Sequence, residues 1–331
     1  MTSVQRFRNG LVIGKFYPPH AGHHHLIETA LAQCERLFVM VCHQPLQAIP
    51  GEVRVACLQE VHPAARVVLV ADDLPDDDSA AWAEKTRSTL GLTPDAVFTS
   101  EDYGTPYARC LGPDTVHVLV DRERRTVPCS GTLIRGAPLD HLHLVSAAMR
   151  AWYVRRVCLL GAESTGKTTL AEALAAHYRT TWVPEYGREY CEKNWYEGYP
   201  WEPSEFTHIA REQARREDLA ARQANRVLIC DTDPLATSIW HERYLRHPSP
   251  DVLAIARARR YDLYILAGDE IPFVQDGWRD GEHVRHAMHQ RFAEVLAGWG
   301  TPWFEARGSL AERLAAAVAR VDAVLASMRV S

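Results

Sequence analysis

The most specific chemistry in this chain is written at Gly161, where a G-x-x-x-x-G-K-T pattern runs through Glu163, Ser164, Thr165, Gly166 and Lys167 to Thr168. An apolar run, 157–160, stands directly before it, and a helical pattern, 169–177, opens at Thr169 directly after it. Strand, loop and helix therefore follow the order that a phosphate-binding loop requires. The glycines let backbone N–H groups turn inward around phosphate oxygens, and the helix N-terminus adds partial positive charge. Lys167 would reach the β and γ phosphates, and the Thr168 hydroxyl would hold Mg²⁺. A glycine-rich turn that matched by chance would lack both flanking elements. The stretch predicts a nucleoside triphosphate site.

Carboxylates suited to such a site lie downstream. Residues 226–230 are an apolar run ending in Asp231-Thr232-Asp233, the form of a strand capped by a metal-binding aspartate. Either Asp231 or Asp233 would coordinate Mg²⁺, directly or through water. Glu185 follows a short strand-like run, 180–183, and opens the series Glu185-Tyr186-Gly187-Arg188-Glu189. A carboxylate at a strand end beside such a loop can accept the proton of a substrate hydroxyl; the plainer alternative is a pair between Glu185 and Arg188. Beyond Pro272, residues 275–280 form a polar, glycine-hinged segment with the character of a lid. Arg279 or Arg285 there would stabilise a transferring phosphoryl group, with an ordinary surface loop as the alternative.

A second group of donors stands near the N-terminus. The apolar run 11–13 leads into Gly14-Lys15-Phe16-Tyr17-Pro18-Pro19-His20-Ala21-Gly22-His23, and Leu26, Ile27, Ala30 and Leu31 then recur at helical spacing. Two histidines three apart at a helix entrance share a face and could donate to an anion held there. A solvated polar run and a metal pair are the alternatives; no third ligand stands at recognisable spacing.

These loops need elements to position them. With 331 residues, length alone suggests two domains, and 47% hydrophobic with 24% charged residues is the composition of a chain that buries sizeable cores. A phosphate loop usually follows the first strand of its domain, so a second domain, 151–331, is expected after a first, 1–150. Runs 37–41, 67–70, 96–98 and 117–120 read as buried strands of a parallel sheet, with a helix over 53–61. Residues 139–152 read as one terminal helix of the first domain, which would hold the two sites in a fixed relation. In the second domain, 204–225 reads as a long helix whose charges form a solvated, mutually paired face, 236–246 and 310–328 as helices, and 263–266 as a strand. The acidic stretch 72–78 reads as a solvated turn. The fold class is α/β, two parallel-sheet domains.

The net charge of −5 carries no global basic field for nucleic acid. No run of 18 apolar residues occurs, and the N-terminus lacks a signal-peptide core, so no membrane partner is expected. Eight scattered cysteines without a C-x-x-C pair predict reduced thiols and a cytoplasmic setting.

The pattern from Gly14 to His23, G-x-F-x-P-x-H-x-G-H, resembles the signature of the H-x-G-H nucleotidyltransferases, and Ser130-Gly131-Thr132-Leu133-Ile134-Arg135 resembles their second signature. The resemblance implies a Rossmann-like domain in which Gly14, Lys15, Phe16, His20, His23, Ser130, Gly131, Thr132 and Arg135 bind ATP. It also implies that Trp82 stacks on a pyridine ring, with a core aromatic as the alternative, and that Glu101 and Tyr103 sit beside the acceptor nucleotide. With the E-Y-G-R-E and D-T-D elements, the whole series resembles the bifunctional NadR proteins, which join a nicotinamide-nucleotide adenylyltransferase to a ribosylnicotinamide kinase of the P-loop type. The implied activity is phosphorylation of nicotinamide riboside to nicotinamide mononucleotide and its adenylylation to NAD. ATP and Mg²⁺ would serve it, and Tyr186, Arg188 and Asp233 would bind substrate. Only ten residues precede the first strand, which argues against direct DNA binding; self-association is left open. Two other readings stand beside this one: a fused pantetheine-phosphate adenylyltransferase and dephospho-coenzyme A kinase, and a sensor of NAD or ATP with one inactive site.

Overall fold

The computed structural model describes residues 7–196, 198–274 and 282–327, and the chain divides into two compact units between Met149 and Arg150. In the first unit strands and helices alternate: β1 (Phe7–Gly14), α1 (Ala21–Leu31), β2 (Cys34–His43), α2 (Gly51–Val61), β3 (Ala65–Ala71), α3 (Ser79–Leu90), β4 (Ala96–Thr99), α4 (Gly104–Leu111), β5 (Val116–Leu119) and α5 (Gly131–Gly136). The five strands form one parallel sheet in the order β3-β2-β1-β4-β5. Both faces are covered, which explains the near-continuous apolar strands. Val12, Val39 and Phe98 pack with Leu26 and Ile27 on one face, while Leu11, Met40 and Val97 pack with Trp82, Tyr107 and Leu111 on the other. Strand β1 has β2 on one side and β4 on the other, so the winding reverses there. A crevice at the carboxyl ends of β1 and β4 is the geometric result.

The segment expected as one helix over 139–152 is broken. It contains a 3-10 turn, Leu142–Leu144, and then a short helix, α6 (Ala147–Tyr153). The Ser146 hydroxyl accepts the Met149 N–H at 3.4 Å, giving the second piece its own start. Leu142, Val145 and Met149 are all buried, so apolar spacing alone could not separate a turn and a short helix from one long helix.

The second unit continues with β6 (Arg155–Leu160), α7 (Lys167–Tyr178), β7 (Trp182–Val183), α8 (Tyr186–Asn194), α9 (Pro203–Ala221), β8 (Val227–Asp231), α10 (Pro234–Leu245), α11 (Pro250–Ala258), β9 (Leu263–Ala267), α12 (Glu282–Trp299), β10 (Trp303–Ala306) and α13 (Leu310–Ala326). Its sheet is again parallel, in the order β10-β9-β6-β8-β7. Leu159 is in register with both Asp231 on β8 and Ile265 on β9, which sets the Asp231 carboxylate one strand away from the phosphate loop. Helix α8 has no buried residue, so it left no apolar period to read. The charges of α9 are only partly solvated: Glu212 pairs Arg215 and Arg216 at the surface, whereas Gln213 and Glu217 are buried. Among the described residues no helix is long and apolar enough to cross a membrane, and no disulfide joins any of the eight cysteines.

Leu159 is fully buried in the centre of the second sheet. Leu159→Ala should cost about 2–5 kcal/mol in urea unfolding; a loss under about 1 kcal/mol would contradict a packed central strand.

Candidate functional sites

In the first unit the crevice is a cleft of about 710 Å³. It is lined by Gly14, Lys15, Phe16, His20 and His23 from the β1–α1 side, by Trp82, by Glu101 and Tyr103, and by Ser130, Gly131, Thr132 and Arg135. All the residues expected for this unit thus meet in one cavity.

His20 caps α1. Its Nδ1 accepts the backbone N–H of His23 at 3.4 Å and lies 3.3 Å from the Cys129 thiol, which itself accepts the Gly22 N–H. Burial pushes the ring down to about 4, so it is neutral near pH 7. A backbone N–H can only donate; the single ring proton therefore sits on Nε2. His23 stacks on His20 with centroids 3.7 Å apart, and burial likewise holds it well below the usual histidine range. Among the described residues no third ligand completes a metal cluster with this pair.

Lys15 is braced by Asp72 at 3.4 Å and Asp76 at 3.2 Å, while Asp73 pairs with Lys85 and Asp78 caps α3. The acidic stretch is largely exposed, as expected for a solvated turn, and its Asp72 and Asp76 also supply the counter-charge of Lys15. Trp82 is buried and donates its indole N–H to Pro75 O at 3.0 Å. Tyr103 donates to Ile13 O at 3.1 Å, and Glu101 pairs with Arg124 at 3.0 Å. Arg135 donates to Tyr17 O at 2.5 Å and to the Thr132 hydroxyl. Ser130 caps α5, and a Cβ on Gly131 would fall 2.6 Å from Tyr17 O, so only glycine permits that approach.

Arg54 escaped the sequence reading. It is fully buried and donates to the carbonyls of Lys15 and Cys42 and to Gln47, fixing the loop that carries Lys15. An arginine among the mixed polar and apolar residues of α2 gives no sign that its head turns inward.

The second unit holds a pocket of about 310 Å³ against the phosphate loop. Gly161, Ser164 and Gly166 take positive φ values of 142°, 56° and 77°. They turn the loop so that α7 begins at Lys167, and Glu163 to Thr169 line the pocket. Lys167 donates to Ala162 O at 2.8 Å. Arg313 and Arg285 hold the loop's outer carbonyls, donating to Thr165 O and Ser164 O. Arg285, expected at a phosphoryl group, therefore grips the loop, while Arg279 lies outside the described residues.

The two aspartates divide. Thr168 Oγ1 donates to Asp231 Oδ2 at 2.5 Å, and Asp231 Oδ1 is buried with no hydrogen-bond partner among the described residues. Burial raises this carboxyl above its usual range, and Lys167 draws it back. An unsatisfied carboxylate oxygen beside a hydroxyl is a hard oxygen donor set that fits Mg²⁺. Asp233, expected as a metal and substrate ligand, spends Oδ1 on the Ala236 N–H at 2.9 Å and Oδ2 on the Tyr264 hydroxyl at 2.7 Å. It is buried and anchors α10 instead.

Glu185 and Arg188 line the pocket, as expected. Tyr186 does not: its hydroxyl meets His208 and its ring lies under Arg216. The opposite wall was not foreseen. Trp201, Phe206, Trp240 and Tyr244 line it, with the Trp201 and Tyr244 centroids 5.4 Å apart. Aromatic residues scattered over three segments carry no local motif; only the fold brings them together.

Residues 11–137 match the cytidylyltransferase-like family and residues 156–313 the AAA domain family. The Escherichia coli K12 protein called trifunctional NAD biosynthesis/regulator protein NadR is 31% identical over 296 residues, covering 82% of this chain and 71% of that one. The Salmonella typhimurium LT2 protein of the same name is 31% identical over 312 residues, covering 87% and 76%. Two crystal structures of NadR protein, one in complex with NR and one with NAD and AMP-PNP, share this fold at TM-scores of 0.79 and 0.75. They are 21% and 20% identical, and each match covers 98% of both chains. With both signatures gathered into clefts of the right fold and two relatives aligned across most of its length, the chain belongs to the NadR family of NAD-biosynthesis proteins, a nucleotidyltransferase half followed by a P-loop kinase half.

Proposed function

We propose that the second unit phosphorylates nicotinamide riboside with ATP, and that the first adenylylates the resulting mononucleotide to NAD with release of pyrophosphate. One observation carries the assignment: the phosphate loop, Glu185 and an aromatic wall border one pocket, and Thr168 of that loop binds Asp231, whose other oxygen has no hydrogen-bond partner among the described residues. A cationic pyridinium ring is the group that such a wall would favour, through cation–π attraction worth about 0.5–2 kcal/mol. That chemistry supports the riboside over the uncharged pantetheine of a coenzyme A precursor. The NR and NAD complexes of the related structures point the same way.

In the kinase step, the riboside 5′-hydroxyl attacks the γ-phosphorus of ATP as the bond to ADP breaks. Glu185 accepts the hydroxyl proton, Arg188 faces the same space, and Lys167 and the α7 N-terminus stabilise charge on the phosphates. Mg²⁺, held by Thr168 and Asp231, would supply further neutralisation of that charge.

In the first unit, a phosphate oxygen of the mononucleotide attacks the α-phosphorus of a second ATP, and the bond to pyrophosphate breaks. No covalent nucleophile is required, since phosphate is a competent attacker. His20 acts as a neutral donor through Nε2–H, beside His23, Lys15 and Arg135, with Ser130, Gly131 and Thr132 closing on the triphosphate beside Gly14 and Phe16. Trp82, Glu101 and Tyr103 form the acceptor side. Nucleotide pools of the cytoplasm fit both substrates.

Given ATP, Mg²⁺ and the riboside, the chain should form mononucleotide first and NAD afterwards, resolved by chromatography. His23→Ala should abolish NAD formation and leave mononucleotide accumulating; Lys167→Ala should stop riboside consumption while added mononucleotide still becomes NAD. Turnover of phosphopantetheine in place of these would overturn the reading. Tight NAD binding without product would instead favour a sensor.

The histidine environment also sets an acid limit. His20 and His24 are lowered from 6.5 to about 4, chiefly by burial. Between those values the unfolded chain takes up protons that the folded one refuses. Stability is thus fully present above pH 6.5 and is lost as pH falls toward 4. Thermal unfolding midpoints should drop across that window and drop less in His20→Asn; equal slopes would contradict a neutral buried His20.

A further inference from the structure

Gln213 on α9 is 1% exposed, yet it borders the kinase pocket. Its Oε1 accepts the Tyr186 backbone N–H at 2.9 Å, at the residue next to Glu185. Its Nε2 donates to Thr232 O at 3.4 Å, at the residue next to Asp231. The amide orientation is determined, because a backbone N–H can only donate and a backbone carbonyl can only accept. One side chain therefore joins the turn that carries the expected proton acceptor to the strand end that carries the expected metal ligand.

Two features make that link more than a packing contact. Thr232 lies at φ 67°, a left-handed conformation that a β-branched residue reaches only under constraint from its surroundings. Its carbonyl receives the Gln213 amide, and its own N–H is held by Leu159 O at 3.0 Å. Behind Gln213, Glu217 is fully buried and bound to the Tyr261 hydroxyl at 2.7 Å and to Arg259 at 3.2 Å. Glu217 Oε1 lies 3.5 Å from Gln213 Nε2 and backs the amide with a fixed acceptor.

We propose that Gln213 is a positioning residue for phosphoryl transfer, holding Glu185 at a set distance from the Asp231 metal site by bonding the backbone beside each. The proposal rests on the kinase reading above. It adds that the two groups act as one unit through a residue that handles neither the proton nor the metal. A glutamine is suited to this task because its amide offers one acceptor and one donor on a neutral head, so it can be buried beside Glu217 without a charge.

The test follows riboside phosphorylation by Gln213→Met, which keeps the volume and loses both bonds, and by Gln213→Ala. The expected result is a kcat about 100-fold lower, the scale of a 1 Å misplacement, with KM for ATP and the unfolding midpoint held in the Met variant. In a Glu185→Gln background the same change should cost under about threefold, since residues that act as a unit are not additive. An unchanged kcat, or an equal loss in both backgrounds, overturns the proposal. If the unsubstituted chain leaves the riboside untouched while converting mononucleotide to NAD, the kinase reading itself has failed and Gln213 falls with it.

Discussion

A triphosphate can be held only where N–H donors and cations converge on its oxygens, and both units answer that constraint with one device. A central, buried parallel strand ends in a tight loop that opens a helix: β1 into α1, and β6 into α7. The strand has neighbours on both sides, so the loop cannot drift, and the helix entrance supplies N–H groups that its own ladder leaves unpaired. Everything else at either site is arranged around that strand end. Asp72 and Asp76 orient Lys15, Arg54 fixes the carbonyl of the same residue, and Arg313 and Arg285 secure the phosphate loop from outside. The charges that hold the loops are themselves buried or paired.

The D-T-D element shows how one backbone torsion separates two chemically identical residues. Thr232, at φ 67°, turns the chain between Asp231 and Asp233. Asp231 keeps one oxygen for Thr168 and one without a hydrogen-bond partner among the described residues, whereas Asp233 binds partners within the fold through both of its oxygens. Burial raises both carboxyls, Asp233 to about 6. Of the two, it is the first whose oxygen lacks a hydrogen-bond partner among the described residues. The division of labour follows from the hydrogen-bond count of each carboxylate rather than from residue type.

Contiguous motifs were legible because phosphate chemistry requires particular residues at fixed backbone spacing. Glu163 to Thr168, Gly14 to Phe16 with His20 and His23, and Ser130 to Thr132 with Arg135 line the clefts they were expected to line, while Gly161 turns the loop. Residues whose role depends on a distant partner were misread or overlooked. The pairing of Asp72 and Asp76 with Lys15 was not seen, because Lys15 lies far away in sequence. Gln213 and Glu217 looked like one more stripe of a polar helix, since Tyr186, Thr232 and Arg259 come from other elements. Tyr186 was drawn to the site by its neighbours Glu185 and Arg188, yet its ring turns toward α9.

By itself, the amino-acid sequence determined the two parallel-sheet units, the two phosphate apparatuses and the family, because apolar runs and loop motifs are local and their physics acts over a few residues. Tertiary structure alone decided which aspartate has an oxygen without a hydrogen-bond partner among the described residues and which rings line the second unit's pocket. Each of those depends on a hydrogen bond or a contact between residues tens of positions apart, and a linear chain does not record how such partners will meet.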